Sequence, residues 1–189
     1  MMDVLRQSKK WKQEATNLLQ KSGIENILKK FGNVIFSGSY ASDLMMSGDI
    51  DIYVVNKTFS KKRVLEIFNK LTNFCPFEGY LFFDWKRNKH PDFPSAYYIG
   101  LKKKISKTKW KIDIWFLKPT DLHKIDYFNL NSDEISKEQK LAILKLKDYR
   151  NKFFQNISSK IIYDMVLKDN ISTIEGFKKF IKKINFNIA

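Results

Sequence analysis

Two segments of the sequence alternate charged residues with large apolar residues, and this alternation constrains the fold more than any other feature. The first runs over residues 49–55 and the second over residues 111–115. A period of two is typical of a β-strand with one buried face. If the two strands are neighbours, their isoleucines anchor them in the core. The carboxylates of Asp49, Asp51 and Asp113 then emerge together on the opposite face.

These carboxylates form a candidate metal site. Asp49 and Asp51 lie two residues apart, so both point to one side of their strand. Carboxylates held close together repel each other, and a hard divalent cation between them relieves the repulsion. Because Mg²⁺ is usually bound by carboxylates and substrate phosphates, Asp49, Asp51 and Asp113 are predicted metal ligands. An Asp-x-Asp pair alone is also typical of a solvent-exposed strand face.

A Gly-Ser pair upstream of the acids is a candidate phosphate-binding turn. Residues 34–36 form a short apolar segment, typical of a buried strand, that runs into Gly38 and Ser39. Gly38 permits a tight turn and a close approach of the backbone to a ligand. Ser39 adds a hydroxyl at the start of the helical turns predicted over Tyr40–Met46, where a phosphate would bind favourably.

In combination, these motifs resemble the nucleotidyltransferase superfamily, which includes DNA polymerase β-like enzymes, CCA-adding enzymes and minimal nucleotidyltransferases. The superfamily pattern is a hydrophobic strand, Gly-Ser, a spacer, Asp-x-Asp on a strand and a third acidic residue on a later strand. Residues 33–117 follow this pattern, and the matching positions are Gly38-Ser39, Asp49-Ile50-Asp51 and Asp113.

Two positions depart from the superfamily pattern. Asp43 replaces a glycine that is often found in the spacer, and Gly48 stands where serine is commoner. The first departure affects the contact between the spacer and a triphosphate. We interpret Asp43 as a surface residue of a helical turn. We expect the second departure to be harmless.

The resemblance implies an enzyme that transfers a nucleoside monophosphate group from a nucleoside triphosphate (NTP), such as ATP, to a hydroxyl acceptor and releases pyrophosphate. Its catalytic residues would be Asp49, Asp51 and Asp113, which would hold two Mg²⁺ or Mn²⁺ ions. The Gly38-Ser39 pair would bind the β- and γ-phosphates. Lys111 shares a strand face with Asp113 and is the lysine expected to contact phosphate. The acceptor remains open among small molecules, proteins and RNA.

The remaining periodicities predict an α/β (α+β) fold with a mixed sheet. Helices are predicted over Gln7–Lys30, with a break at Ser22-Gly23, and over Ser60–Leu71. Strands are predicted over Tyr80–Trp85, Tyr97–Lys103 and Lys109–Leu117, the last two forming a hairpin around residues 106–108. We assign the aromatic pairs Phe82-Phe83 and Tyr97-Tyr98 to the core rather than to base stacking.

After Pro119 the pattern is helical. Two capping boxes, Ser136 with Gln139 and Ser172 with Glu175, begin helices that end near Tyr149 and Ile184, and a further helix is predicted over Ser159–Leu167. We therefore divide the chain into a nucleotidyltransferase catalytic domain over residues 1–118 and a helical C-terminal subdomain over residues 119–189. The tail is similar to the helical appendage of uncharacterised bacterial nucleotidyltransferase-domain proteins.

The charge of the chain predicts a polyanionic partner. The sequence has 35 Lys and Arg against 20 Asp and Glu, a formal net charge of +15. Such a surface attracts nucleic acids and nucleotides. The alternative interpretation is an ordinary fold with solvated lysines. Of the lysines between Lys102 and Lys111, most are expected to protect a sheet edge.

Composition excludes several other classes. With 43% hydrophobic and 15% aromatic residues, the chain can bury a core and is not disordered. Cys75 is the one cysteine, and His90 and His123 are the only histidines, so neither a disulfide framework nor a Cys- or His-based metal cluster is expected. No apolar run approaches the ~18 residues of a membrane span, which predicts a cytoplasmic protein without a membrane partner.

Three functions from different classes fit these observations. The favoured function is a metal-dependent nucleotidyltransferase with a two-metal-ion mechanism. The second is an antitoxin-like minimal nucleotidyltransferase that acts on a partner toxin. The third is a catalytically silent nucleic-acid-binding protein that uses the positive charge.

Overall fold

A five-stranded mixed sheet organises the protein. The computed structural model describes residues 2–74, 77–87, 94–124 and 134–186. The strands are β1 (Asn33–Ser37), β2 (Gly48–Val55), β3 (Gly79–Asp84), β4 (Tyr97–Ile105) and β5 (Thr108–Leu117). Their order in the sheet is β1-β2-β5-β4-β3, with β2 and β5 parallel and the other neighbours antiparallel. The predicted mixed sheet, with β1, β2 and β5 side by side, is confirmed.

Seven α-helices and one 3₁₀ helix are found in the described residues. They are α1 (Met2–Ser22), α2 (Ile24–Lys29), α3 (Gly38–Ala41), α4 (Lys61–Phe74), a 3₁₀ helix (Pro119–Lys124), α5 (Lys137–Phe153), α6 (Ser159–Leu167) and α7 (Ile174–Phe186). Gly23, with φ of 65°, separates α1 from α2 at the predicted break. None of these helices combines the length and apolar character needed to cross a membrane.

The larger hydrophobic core lies between one face of the sheet and the helices α1 and α4. Strand residues Ile50, Ile52, Ile112 and Ile114 are all fully buried in it. The helices contribute side chains at helical spacing, namely Ala15, Leu18, Leu19, Val64, Ile67 and Leu71. Because these isoleucines occupy the covered face, the alternate residues of β2 and β5 lie on the other face, as the period-two pattern predicts.

A second hydrophobic core joins the C-terminal helices to a segment that precedes β2. Its buried residues include Ile143 and Leu146 of α5, Ile162 of α6, and Leu44 and Met46 from the N-terminal half. The predicted division between residues 118 and 119 stays a prediction. The two cores nevertheless show that residues 44–46 pack with the helices of the C-terminal half.

The structure differs from the expected elements at two helix ends. The helical turns predicted over Tyr40–Met46 form over Gly38–Ala41 instead, because Asp43 adopts the left-handed region with φ of 59° and ends the helical path. At α7, the Thr173 Oγ1 accepts from the Gly176 amide at 3.1 Å, so Thr173 rather than Ser172 is the capping residue.

Other local predictions are confirmed or lie outside the described residues. The capping box of Ser136 and Gln139 is present at the start of α5. The β4–β5 hairpin turns at residues 106–107, close to the expected position. Cys75, His90 and the side chain of His123 lie outside what the structure describes.

Candidate functional site

The three predicted acids lie on adjacent parallel strands, on the sheet face opposite the main core. The register of β2 and β5 places Asp51 opposite Asp113 and Asp49 opposite Lys111. Neighbouring strands are about 4.8 Å apart, so residues in register are direct neighbours. The pattern therefore brings two carboxylates side by side and a third carboxylate next to a lysine.

Gly38 packs directly against the Asp51 carboxylate. An added Cβ at Gly38 would lie 2.3 Å from Asp51 Oδ2, and Gly38 has a φ of 61°. Only glycine fits at this position. Any other residue would strain the backbone at this φ, and its Cβ would displace the Asp51 carboxylate. The Gly-Ser turn and the acidic strand are thus one structural unit, and Ser39 is buried beside them.

Gly48 and Asp43, the two departures from the superfamily pattern, have local structural reasons. A Cβ at Gly48 would lie 2.5 Å from the Lys109 carbonyl oxygen, so a serine there would force β2 away from β5. Asp43 is exposed as predicted, and its carboxylate pairs with Lys12 at 2.9 Å. Its positive φ is the conformation for which glycine is favoured.

Burial and repulsion combine at Asp51. The pKa of Asp51 is raised from 3.8 to about 7, chiefly by burial and further by the negative charges of Asp113 and Asp49. Lys111 and Lys147 oppose this shift. Among the described residues, neither Asp49 nor Asp51 forms an ion pair; Asp49 accepts from the Ser47 hydroxyl at 2.7 Å.

Asp113 has two protein partners. The Tyr98 hydroxyl donates to its Oδ1 at 2.6 Å, and Lys111 Nζ lies 2.7 Å from its Oδ2. Burial raises the pKa of Tyr98, and the hydrogen bond to Asp113 acts in the same direction. Burial alone would lower the pKa of Lys111, but the hydrogen bond and charge of Asp113 outweigh it and raise the pKa.

The donor chemistry of Asp49 and Asp51 fits a divalent cation, because these neighbouring carboxylates repel each other and have no described ion pair. Asp113 differs, since Tyr98 and Lys111 engage both of its oxygens. Within the described ranges, no three acidic, histidine or cysteine side chains are close enough to hold one ion. The three-ligand metal site remains a prediction from the sequence.

Tyr98 was assigned to the core by sequence reasoning, and this assignment is wrong. Tyr97 does pack in the main core, at 7% exposure, and Phe82 packs against it. Tyr98 lies on the opposite face, with Gly100 between it and the lysines, because successive strand residues alternate sides. Phe83 lies on that face too and contacts Trp85, with 4.2 Å between ring centroids.

A buried lysine near the acids was also missed. Lys147 of α5 is 1% exposed and donates to the Leu44 carbonyl at 2.6 Å and to the Tyr163 hydroxyl at 3.2 Å. Burial lowers its pKa to about 7, and the charge of Arg150 contributes, while the acids oppose the shift. The available signal was its position: Lys147 follows Ile143 by four residues and so lies on the apolar face of the helix.

Four lysines extend from the acids along the same sheet face. We call Lys102, Lys104, Lys109 and Lys111 the lysine ladder. Lys102 lies opposite Lys111, and Lys104 lies opposite Lys109. Directly opposed like charges on antiparallel strands are destabilising. In the part of the chain that the structure describes, only Lys111 of the four has a carboxylate partner.

The prediction that most of the lysines between Lys102 and Lys111 protect a sheet edge stays a prediction. β4 and β5 are interior strands, and the edges of the sheet are β1 and β3. Only the end of the hairpin, from Lys103 to Lys109, extends beyond the paired residues of its neighbours. Lys104 and Lys109 lie in this unpaired end, whereas Lys102 and Lys111 lie where the neighbouring strands pair, so edge protection does not account for these two.

Comparisons with known proteins find structural likeness only. No protein family and no curated protein matches the sequence. A chain of the non-canonical poly(A) polymerase complex GLD-2–GLD-3 is 10% identical, with a TM-score of 0.41, over 79% of this chain and 51% of that chain. A chain of the GLD-2/RNP-8 complex is 11% identical, with a TM-score of 0.44, over 88% and 61% respectively. The protein thus spans less than two thirds of either structure.

The contact between Gly38 and Asp51 predicts the effect of adding one methyl group. Gly38→Ala should lower the free energy of unfolding by about 2 kcal/mol or more, because positive φ strain and the overlap with Asp51 add. Gly23→Ala is the matched control, since Gly23 has φ of 65° but nothing within 4 Å of its Cβ position. The Gly23→Ala variant should lower the free energy of unfolding by only about 1 kcal/mol. Equal losses in denaturant titrations would mean that Asp51 does not pack on Gly38.

The raised pKa of Asp51 predicts a pH-dependent gain from neutralisation. A folded-state pKa of about 7 against an ordinary 3.8 means that ionisation of Asp51 removes stability as pH rises through about 7. Asp51→Asn should therefore be more stable than wild type above pH 7, by roughly 1–3 kcal/mol. The gain should shrink as pH falls towards 3.8, where wild type is protonated.

Thermal or denaturant unfolding of the apo protein across this pH range measures the effect. Asp49→Asn serves as the control on the same strand, because Asp49 is exposed and should change stability much less. A loss of stability in Asp51→Asn above neutral pH would show instead that the Asp51 charge has a stabilising partner.

Proposed function

We propose that this protein is a metal-dependent nucleotidyltransferase that transfers a nucleoside monophosphate from an NTP to a hydroxyl acceptor. The observation that supports this most is the juxtaposition of three elements on the sheet face opposite the main core. Asp49 and Asp51 project from β2, Asp113 projects from the adjacent parallel strand, and Gly38 meets the Asp51 carboxylate. Carboxylates beside a Gly-Ser turn are the residue types that metal-assisted phosphoryl chemistry requires.

In this proposal, Asp49 and Asp51 would hold the divalent cations, with Asp113 beside them. Mg²⁺ or Mn²⁺, when bound, would neutralise triphosphate oxygens and lower the pKa of the acceptor hydroxyl. The Gly38-Ser39 turn would orient the β- and γ-phosphates through backbone N–H groups and the serine hydroxyl. Lys111 would offset the negative charge that the triphosphate brings to the acids.

The chemical step would be an in-line displacement at the α-phosphorus. The acceptor oxygen forms a bond to this phosphorus, and the bond between the phosphorus and the bridging oxygen breaks, so that pyrophosphate leaves with the electron pair. Asp113 would help to accept the proton of the acceptor hydroxyl. The hydrogen bond from Tyr98 would hold the Asp113 carboxylate in orientation for this transfer.

The activity is tested by incubating the purified protein with each labelled NTP, Mg²⁺ or Mn²⁺ and a cell extract that supplies the acceptor. We expect label transfer and pyrophosphate release, both abolished by EDTA. Asp49→Asn and Asp51→Asn should each reduce transfer by about 100-fold or more, because the charge that binds the metal is lost. Asp148→Asn removes an acid that pairs with Lys152 on α5 and should leave transfer unchanged.

Absence of transfer from every NTP in the wild-type protein would overturn the proposal. So would transfer that persists at wild-type rate in Asp51→Asn. The first result, combined with tight RNA binding, would leave a catalytically silent nucleic-acid-binding protein as the remaining class.

The lysine ladder favours a polyanionic acceptor, with single-stranded RNA as the class of partner that we propose. Its opposed lysine pairs repel in the free protein, and phosphates along the hairpin would relieve this repulsion. Lys111, the ladder residue nearest the acids, lies two residues before Asp113 on β5, so a polyanion bound along the ladder could reach the acids.

Charge reversal tests this partner. Lys102→Glu with Lys104→Glu should weaken RNA binding and reduce the slope of log affinity against log salt by about 1–2, because roughly 0.7 counterions are released per phosphate contact with single strands. Lys30→Glu with Lys57→Glu gives the same change in net charge at exposed sites elsewhere and serves as the control. Equal effects of the two double variants would show that only net charge matters.

A further inference from the structure

The segment over residues 40–47, which comprises the last two residues of α3 and the loop that leads into β2, is held by helices from both halves of the chain. We call it the strapped loop. Four of its main-chain carbonyls accept hydrogen bonds from helical side chains: Tyr40 from Lys12, Asp43 from Ser8 at 3.0 Å, Leu44 from Lys147 at 2.6 Å and Met46 from Asn151 at 2.8 Å. Two donors belong to α1 and two to α5. Side chains of two helices therefore hold this segment in addition to its own main-chain hydrogen bonds.

The strapped loop is also bonded to the Gly-Ser turn and to an acid. The Ser42 amide and hydroxyl both donate to the Gly38 carbonyl, at 3.1 Å and 2.8 Å, and the Leu44 amide donates to the Ser39 carbonyl at 2.9 Å. At its other end, the Ser47 hydroxyl donates to Asp49. Movement of the loop would therefore move both parts of the candidate site.

The contacts from α5 span a large separation in sequence; the Lys147 contact is buried and the Asn151 contact is part-buried. Lys147 and Leu44 are 103 residues apart, and Asn151 and Met46 are 105 residues apart. Leu44 is 0% exposed and Met46 is 3% exposed, so water cannot replace a lost donor at these carbonyls without opening the core. A lysine buried at this depth needs such acceptors to be tolerated.

We propose that Lys147 and Asn151 are positioning residues of the acidic site. By holding the carbonyls of Leu44 and Met46, they let α5 determine where Gly38-Ser39 lies relative to Asp49. The loop-holding role stands on the contacts alone, whereas its consequence for catalysis rests on the proposed nucleotidyltransferase function.

The experiment uses Lys147→Met and Asn151→Leu in the full chain, because both replacements keep similar side-chain size and remove the donor. Hydrogen exchange of the apo protein should show the Ser42 and Leu44 amides exchanging about tenfold faster in each variant. Amides of the β4–β5 hairpin should exchange as in wild type. Lys145→Met, an exposed lysine on the same helix, is the control and should change neither region.

Two further measurements separate positioning from a purely structural role. Binding of Mn²⁺ alone should weaken several-fold in both variants but not in Lys145→Met, and kcat for transfer should fall more than KM rises. Wild-type exchange at Ser42 and Leu44 in both folded variants would overturn the proposal. Transfer kinetics and Mn²⁺ binding equal to wild type, despite faster loop exchange, would also overturn the positioning role.

These outcomes are distinguishable from failure of the proposed function. If wild type transfers no nucleotide, yet both variants loosen the loop and weaken Mn²⁺ binding, the nucleotidyltransferase proposal fails and the positioning of the acids by α5 stands. If Lys147→Met does not fold, Asn151→Leu decides the question, since Asn151 is only half-buried at the end of the loop and is uncharged.

Discussion

The parallel pairing of β2 with β5 is the constraint on which the rest of the site depends. Four isoleucines drive this pairing, since they are fully buried against α1 and α4. The same register leaves Asp51 opposite Asp113, so burial of the apolar face forces like charges together on the other face. The repulsion is a consequence of the core, and the surrounding residues have to accommodate it.

Two lysines accommodate this repulsion from different environments. Lys111 is 47% exposed in its side chain and pairs directly with Asp113. Lys147 is fully enclosed, and it lowers the pKa of Asp51 through its charge while its own hydrogen bonds go to the strapped loop. The site thus has one lysine that solvent reaches and another whose hydrogen bonds hold the surrounding structure.

The sheet and the placement of the acids could be predicted because both follow from local period-two alternation, as at Ile50 and Asp51. The turn at Gly38 could also be predicted from the sequence, but the close approach of Gly38 to the Asp51 carboxylate is visible only in the structure. Lys147 and Tyr98 were not predicted as site residues. Their roles depend on partners far away in sequence, Leu44 and Asp113, and periodicity within one segment contains no information about such pairs.

The order in which the chain is synthesised determines when the strapped loop can acquire its side-chain hydrogen bonds. All five strands have been synthesised once residue 117 has been added, and α1 is available well before then. The donors at residues 147 and 151 come about thirty residues later, which is several seconds at ribosomal rates of ~5–20 residues per second. A nascent chain can therefore assemble its sheet while the loop beside Asp49 still lacks half of its side-chain hydrogen bonds. The hydrogen bonding beside the acidic face can be completed only when α5 docks.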